Sequence, residues 1–295
     1  MVQPFYTPAE RRSAEGAVMS GLGERVLAQL RTLKPGEQVL VFLGESAFPY
    51  PYVSQPEPGS DALPTVAFAR RFAAEAKRLG AHLVFGTPRY EKPDAPAQNS
   101  LIHLGPSGET AAVYDKIRLV PFGERMPFNL LRSLFPRFED LLAGTSRAPL
   151  RVGEARLAPS ICYEAIFPDD MRAAGDGAHA LLNATNDGWF GDHTNASALH
   201  LVWQRARAIE LRKPLLRAAL TGISAHVSPD GQVVRATQTG RADILRGVMV
   251  LPSISSPFAV LGSNWLFVPA LLSALAIAWT FRRAKPARAR GRGKT

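Results

Sequence analysis

The sequence predicts an α/β fold, on three observations. QVLVFLGES (38–46) and AHLVFGT (81–87) are short apolar runs suited to strands buried on both faces. Between them, TVAFARRFAAEAKRLG (65–80) repeats its apolar residues at three- and four-residue spacing and ends on a glycine, the pattern of a helix with one buried face. Strand, helix and strand in that order mark the α/β class.

The other elements follow the same logic. The stretch 8–33, with EGAVMSGLGERVLAQLRTL at its end, reads as a helix stopped by Lys34-Pro35-Gly36. NSLIHLGPSGETAAVYDK (99–116) is two alternating runs joined by Gly-Pro-Ser-Gly, a hairpin. The Pro- and Phe-rich segment 118–138 predicts a loop with a short amphipathic piece. Then come strands at EARLAPSI and AHALLNAT (178–185), and a helix at ASALHLVWQRARAIELRK (196–213). PLLRAALTG, ISAHVSPDGQVVRATQ and RGVMVLP are strand-like, with a turn at Pro229-Asp230-Gly231. No internal repeat is evident.

A composition of 46% hydrophobic and 20% charged residues is that of a folded chain, and 295 residues can bury a large core. The single cysteine excludes an internal disulfide. The net charge of +10 is concentrated at the end: RRAKPARARGRGKT (282–295) holds seven Lys and Arg and no acid, leaving about +3 of the ten elsewhere. The body therefore lacks the basic excess of a nucleic-acid binder.

WLFVPALLSALAIAWTF (265–281) is an uncharged run flanked by tryptophans and the basic tail, which fits a membrane anchor better than its alternative, a buried core helix. The positive-inside tendency puts the tail in the cytoplasm and the preceding domain on the other face. MVQPFYTPAERRSAEG has no apolar core of a signal peptide. Export then requires membrane segments upstream of this sequence; otherwise the domain is cytoplasmic against the charge rule.

Three residues stand at strand ends. Cys162 in SICYEAIFPDDMR follows an apolar run and precedes a turn, where a nucleophile is displayed; taken alone it is more simply a buried apolar residue. Glu45 closes VLVFLGE, and its ordinary alternative is a carboxylate turned to solvent. Lys116 sits between AAVYD and IRLVPFG, with a surface lysine as the alternative. An acid, a cation and a thiol at three strand ends can converge at the carboxyl edge of a sheet. His193 and His200 are seven residues apart with no third ligand at suitable spacing, so neither zinc nor another cofactor is expected.

GESAFP, YDKIRLVPFGERMPF, SICYEAIFP and NATNDGWFGD together resemble the carbon–nitrogen hydrolase (nitrilase) superfamily. Within it, LVPFGE, CYE, NDGWFG and RAIELRKPLLRAALTGISA are similar to the apolipoprotein N-acyltransferase branch, over roughly residues 38 to 281. The resemblance implies a four-layer α-β-β-α sandwich at 1–255, a transmembrane helix at 262–281 and a cytoplasmic tail at 282–295. It implies a Glu-Lys-Cys triad: Cys162 the nucleophile, Glu45 the general base, Lys116 the oxyanion stabiliser, with the Tyr163 backbone amide a second oxyanion donor. Glu124 and Glu164 are assigned to orienting Lys116 and the amine substrate, against a structural ion pair as alternative. Asn186, Asp187, Trp189 and Phe190 are expected to line the pocket, with plain packing the safer reading for Phe190.

The implied reaction moves a fatty acyl group from a phospholipid donor, through a thioester, to the N-terminal amine of a diacylglyceryl apolipoprotein, at the bacterial inner membrane with the catalytic domain periplasmic. Segment 118–138, with Leu119, Phe122, Phe128, Leu130 and Phe135, would be a lipid-facing arm. The family's acyltransferases carry a bundle of membrane helices ahead of this domain, and here a separate bundle would have to supply it; the first strand reads as clipped. Alternatives are a nitrilase-type amidase acting on a small soluble amide and an inactive membrane-anchored remnant.

Overall fold

Side chains along His82–Tyr90 alternate between two environments: Leu83 and Phe85 pack with one hydrophobic cluster and Val84 with another. A strand with period-two side chains can do this only with a layer on each face. The computed structural model describes residues 1–4, 16–37, 39–128, 140–191, 195–252 and 254–283. The start of the first expected helix, residues 129–139 of the expected arm, His193 and the tail from 284 lie outside the described residues.

In chain order, β1 (Val2–Gln3), α1 (Gly16–Arg31), β2 (Leu40–Phe42), β3 (Tyr52–Val53), α2 (Pro64–Leu79), β4 (His82–Tyr90), β5 (Gln98–Leu104) and β6 (Thr110–Asp115) make the first half. The second half holds β7 (Leu150–Val152), β8 (Ala155–Ile161), α3 (Pro168–Gly175), β9 (Ala180–Thr185), α4 (Ala196–Leu211), β10 (Leu215–Ala219), β11 (Ala225–Val227), β12 (Val233–Ala236) and β13 (Asp243–Ile244). One sheet runs β2-β4-β5-β6, with β3 also beside β4, and the other β12-β11-β10-β9-β8-β7. The centre of the second sheet, β8-β9-β10, is parallel, as is β2 with β4; β5 and β6 return antiparallel as the expected hairpin. β1 pairs with β13.

The order of layers is helix, sheet, sheet, helix. Leu22, Val26, Leu27 and Leu30 of α1 and Phe68 and Phe72 of α2 cover the outer face of the first sheet. Between the sheets lie Phe42, Val84 and Leu101 from one, and Leu157, Ile161, Leu182 and Ala184 from the other. Met171 and Ala174 of α3 and Leu201, Ala208 and Leu211 of α4 cover the second sheet at Ala158, Leu181 and Leu215. Phe48, Phe68, Phe72 and Phe85 meet at ring separations of 4.9 to 5.2 Å, mostly edge-on, tying α2 to its sheet. Such pairs add about 0.5–1.5 kcal/mol each beyond burial. The four-layer α/β sandwich is therefore the fold.

Two expectations differ at the carboxyl end. RGVMVLP forms no strand; residues 245–252 have no regular structure. Of the single membrane-spanning helix expected at 262–281, the first part, Gly262–Leu266, is a 3-10 turn that separates α5 (Pro257–Leu261), before it, from α6 (Phe267–Arg283). Among the described residues no single helix is long and apolar enough to cross a membrane; the segments Pro257–Asn264 and Phe267–Arg282 pass only together, bent by 65°. The break has a local cause: Gly262 takes φ +61, and the Ser263 hydroxyl donates to Asp169 at 2.8 Å, holding the turn against α3. The 17 residues of α6 rise about 25 Å, short of the ~30 Å hydrocarbon thickness. Its side chains from Phe267 to Arg282 are all exposed.

Candidate active site

Glu45, Lys116 and Cys162 follow β2, β6 and β8, and the sandwich brings these strand ends to one edge. The Glu45 turn packs closely because two neighbours are glycines. A Cβ added at Gly86 would stand 2.5 Å from the Glu45 Cα, and one at Gly44 would stand 2.8 Å from the backbone leaving β10. Cys162 opens a 3-10 turn, Cys162–Ile166, with φ +53, a left-handed conformation that costs a non-glycine residue about 1–2 kcal/mol. A cavity of about 530 Å³ at the opposite edge, by Leu40, Leu157 and Leu216 near the strand starts, contains none of the three.

Lys116 and Glu45 are 1% and 4% exposed, and the Lys116 Nζ lies 3.5 Å from Glu45 Oε1 and 2.9 Å from Glu124 Oε1. Burial works against the ammonium, but Glu45, Cys162 and Glu124 together outweigh it and raise the Lys116 pKa, so it is charged at neutral pH. Burial, then the charge of Glu45, pushes the Cys162 thiol up to about 12, with Lys116 pulling the other way. In the resting site the sulfur therefore keeps its proton, and a base must remove it. Among the described residues no group of three or more His, Cys, Asp or Glu is placed to hold a metal ion.

The supporting residues divide. Glu124 touches Lys116, and its other oxygen accepts the Val120 N–H at 2.8 Å. Glu164, expected to share in orienting Lys116, instead accepts four hydrogen bonds elsewhere: from the Tyr114 hydroxyl and from the N–H groups of Ile117, Arg118 and Ile161, at 2.7 to 3.0 Å. These ties stitch β6, the loop after it and β8 together. The Tyr163 ring covers Lys116 Nζ at 5.8 Å, and its hydroxyl donates to the Leu119 carbonyl. The Asn186 N–H donates to Glu45 Oε2 at 2.8 Å, while its side chain caps the following turn at Gly188. Trp189 is 78% exposed. Phe190 sets its edge against the His200 ring. Asp187, expected to line the pocket, turns inward: it is 3% exposed and bound to Thr185, His200 and Arg217.

Several residues take positions that the sequence reading did not assign to them. Asn99 Nδ2 lies 2.7 Å from both Glu45 Oε1 and Glu124 Oε1. Thr185 pulls the Cys162 thiol pKa down against the effect of burial, and its hydroxyl donates to Asp187 Oδ1 at 3.2 Å. Asn183 Nδ2 and His200 Nε2 reach the Cys162 carbonyl at 3.1 and 3.2 Å. Asn183 and Thr185 lie within NATNDGWFGD and Arg217 within RAIELRKPLLRAALTGISA, and a second signal was their polarity inside the apolar runs AHALLNAT and PLLRAALTG.

A family model described as carbon-nitrogen hydrolase matches residues 27–255. Apolipoprotein N-acyltransferase of Bradyrhizobium diazoefficiens is 37% identical over 256 residues, covering 81% of this chain and 44% of the relative. That of Agrobacterium fabrum is 33% identical over 228 residues, covering 74% and 42%. The chain thus spans less than half the length of these curated relatives. An amidase from Nesterenkonia sp. superposes with a TM-score of 0.56 at 21% identity, covering 82% of this chain and 86% of that one. A carbon-nitrogen hydrolase from Helicobacter pylori gives 0.54 at 18%, covering 80% and 83%. At these identities the superpositions speak to the fold alone.

Proposed function

The chain belongs to the carbon-nitrogen hydrolase family, and from that membership we propose that it transfers an acyl group through a thioester on Cys162. The observation that carries this reading is the buried Lys116–Glu45 contact at 3.5 Å beside a thiol whose titration responds to both charges. Glu45 takes the proton from Sγ as the sulfur attacks an acyl carbonyl. Lys116, with the Tyr163 N–H, stabilises the oxyanion. When the tetrahedral intermediate collapses, Glu45 returns the proton to the departing oxygen. An amine then attacks the thioester, loses a proton to Glu45 and leaves as the amide, while the sulfur is regenerated. Glu124 and Asn99 hold Lys116 and Glu45 in place.

The donor in this reading is a phospholipid ester and the acceptor the N-terminal amine of a diacylglyceryl apolipoprotein, at the inner membrane. The names of the curated relatives, 30–37% identical, support it, as does the exposed apolar surface of α6. Domain limits of 1–255, a membrane-associated 262–281 and a basic tail at 282–295 belong to the same proposal, as do a periplasmic catalytic face and a separate helix bundle supplying lipid access.

A second reading, hydrolysis of a small soluble amide, is favoured by the likeness of the fold to solved amidases. It uses the same groups, with ammonia or an amine leaving and water as acceptor; an inactive anchored remnant would do neither. Mass spectrometry after incubation with phosphatidylethanolamine separates the three. The acyltransferase reading expects a fatty-acyl mass on Cys162, absent in Cys162→Ser and discharged by a diacylglyceryl lipopeptide. Turnover of small amides without acylation by phospholipid selects the amidase, and neither reaction in folded protein selects the remnant.

A further inference from the structure

The peptide joining Cys162 to Tyr163 is planar and trans, so its carbonyl oxygen and the Tyr163 N–H point in opposite directions. Whatever holds the oxygen aims the N–H. Two side chains hold it: Asn183 Nδ2 at 3.1 Å and His200 Nε2 at 3.2 Å. Both have backing. Gln204 Nε2 donates to Asn183 Oδ1 at 2.7 Å, which fixes the amide so that its Nδ2 faces Ser160 Oγ and the Cys162 carbonyl. His200 Nδ1 is 3.0 Å from Asp187 Oδ1, and Asp187 Oδ2 accepts from Arg217. Thr185, Asn183, Asp187, His200, Gln204 and Arg217 are all buried.

The charge of this assembly is ordered. Burial alone would raise the Asp187 carboxyl, but Arg217 and then His200 outweigh it and hold it at about 2, so it is an anion. An anion at Nδ1 requires a proton there. Nε2 then either carries a second proton and donates to the Cys162 carbonyl, or is bare and accepts from Gln204 Nε2, also 3.2 Å away. A bare Nε2 would set its lone pair against the Cys162 carbonyl oxygen at 3.2 Å, so that contact selects the donating arrangement. A donor on a peptide oxygen polarises that peptide and makes its N–H a stronger donor.

We propose that His200, clamped by Asp187, is a positioning residue for the oxyanion-binding peptide: by donating to the Cys162 carbonyl it aims and polarises the Tyr163 N–H toward the tetrahedral intermediate. The inference rests on the reading of Cys162 as an acyl carrier. It also accounts for the left-handed Cys162, whose backbone cost is offset by the two bonds to its carbonyl.

Two reactions of the same sulfur test it on the full chain. Alkylation by iodoacetamide needs the thiolate and no oxyanion donor; acylation by p-nitrophenyl butyrate needs both and no recognition of a lipid. In His200→Phe, alkylation is expected within about threefold of the wild type and acylation down by ~10–100-fold, within the effect of losing one oxyanion donor. His200→Gln, which keeps a donor near the Nε2 position, is expected to recover most of the acylation. Equal acylation in wild type and His200→Phe overturns the proposal. So does a parallel loss of both reactions in His200→Phe that His200→Gln, folded by circular dichroism, does not reverse. A wild-type Cys162 that alkylates but takes acyl from neither this ester nor phospholipid sinks the positioning role and the acyl-carrier reading together. Acylation by the ester alone sinks only the lipid donor.

Discussion

The carboxylates of Glu45 and Glu124 share one amide nitrogen: Asn99 Nδ2 lies 2.7 Å from an oxygen of each. Lys116 bridges the same two oxygens, at 3.5 and 2.9 Å. Two acids are thereby held against one ammonium, with one oxygen of Glu45 occupied by Asn99 and the other by the Asn186 N–H.

This arrangement makes base strength and thiol acidity move in opposite directions. Glu45 raises the Cys162 pKa and Lys116 lowers it. Glu45→Gln is therefore expected to move the pH profile of iodoacetamide alkylation downward from the resting value of about 12, while slowing acyl-enzyme formation by ~10²–10⁴-fold through loss of the base. Lys116→Met moves the alkylation profile upward. An alkylation profile displaced upward in Glu45→Gln would contradict the assignment.

Asp187 and Arg217 form an ion pair in which both side chains are no more than 1% exposed. Asp187→Asn leaves a buried guanidinium without its anion and is expected to cost ~3–5 kcal/mol in urea unfolding. Asp187→Asn with Arg217→Met should cost clearly less than the sum of the single changes. The Asp187 pKa is depressed in the fold, so its contribution, roughly 2 kcal/mol, is present above the unfolded value near 4 and is lost as pH falls toward about 2. Urea midpoints measured across that interval should fall more steeply in the wild type than in the double variant.

Glu164 and Glu124 separate structure from chemistry. Glu164→Gln puts an amide NH₂ where at least one donor now points, and is expected to lower stability by ~1–3 kcal/mol. Glu124→Gln weakens the hold on Lys116 and is expected to cut acylation of Cys162 with a smaller change in stability. Thermal unfolding beside acylation rates distinguishes the two, and equal patterns would refute the division.

The described side chains of α6, from Phe267 to Arg282, are all exposed rather than buried in the sandwich. Deleting residues 267–295 should therefore change the unfolding free energy of the sandwich in urea by less than ~0.5 kcal/mol. If α6 is the membrane contact, the same deletion abolishes co-sedimentation with phosphatidylethanolamine vesicles. Undiminished binding would place that contact elsewhere.

The α/β order and the strand ends carrying Glu45, Lys116 and Cys162 were legible because they depend on local patterns: period two, period 3.6 and a polar residue closing an apolar run. The break before α6 was not, since an apolar run looks continuous whether or not Ser263 finds Asp169 in another helix. Glu164 illustrates the same limit. Beside the nucleophile in sequence it looks catalytic, yet its partners lie on β6, the following loop and β8.

By itself, then, the sequence determined which residues could do chemistry and the kind of layers that would carry them. Only the tertiary structure decided their company. Asn99 reaches Glu45 across 54 positions, Asn186 reaches it across 141, and His200 reaches the Cys162 carbonyl across 38. The physical reason is that sheet order and the face-to-face packing of two sheets set which strand ends meet, and those follow from the burial of the whole chain rather than from any local spacing.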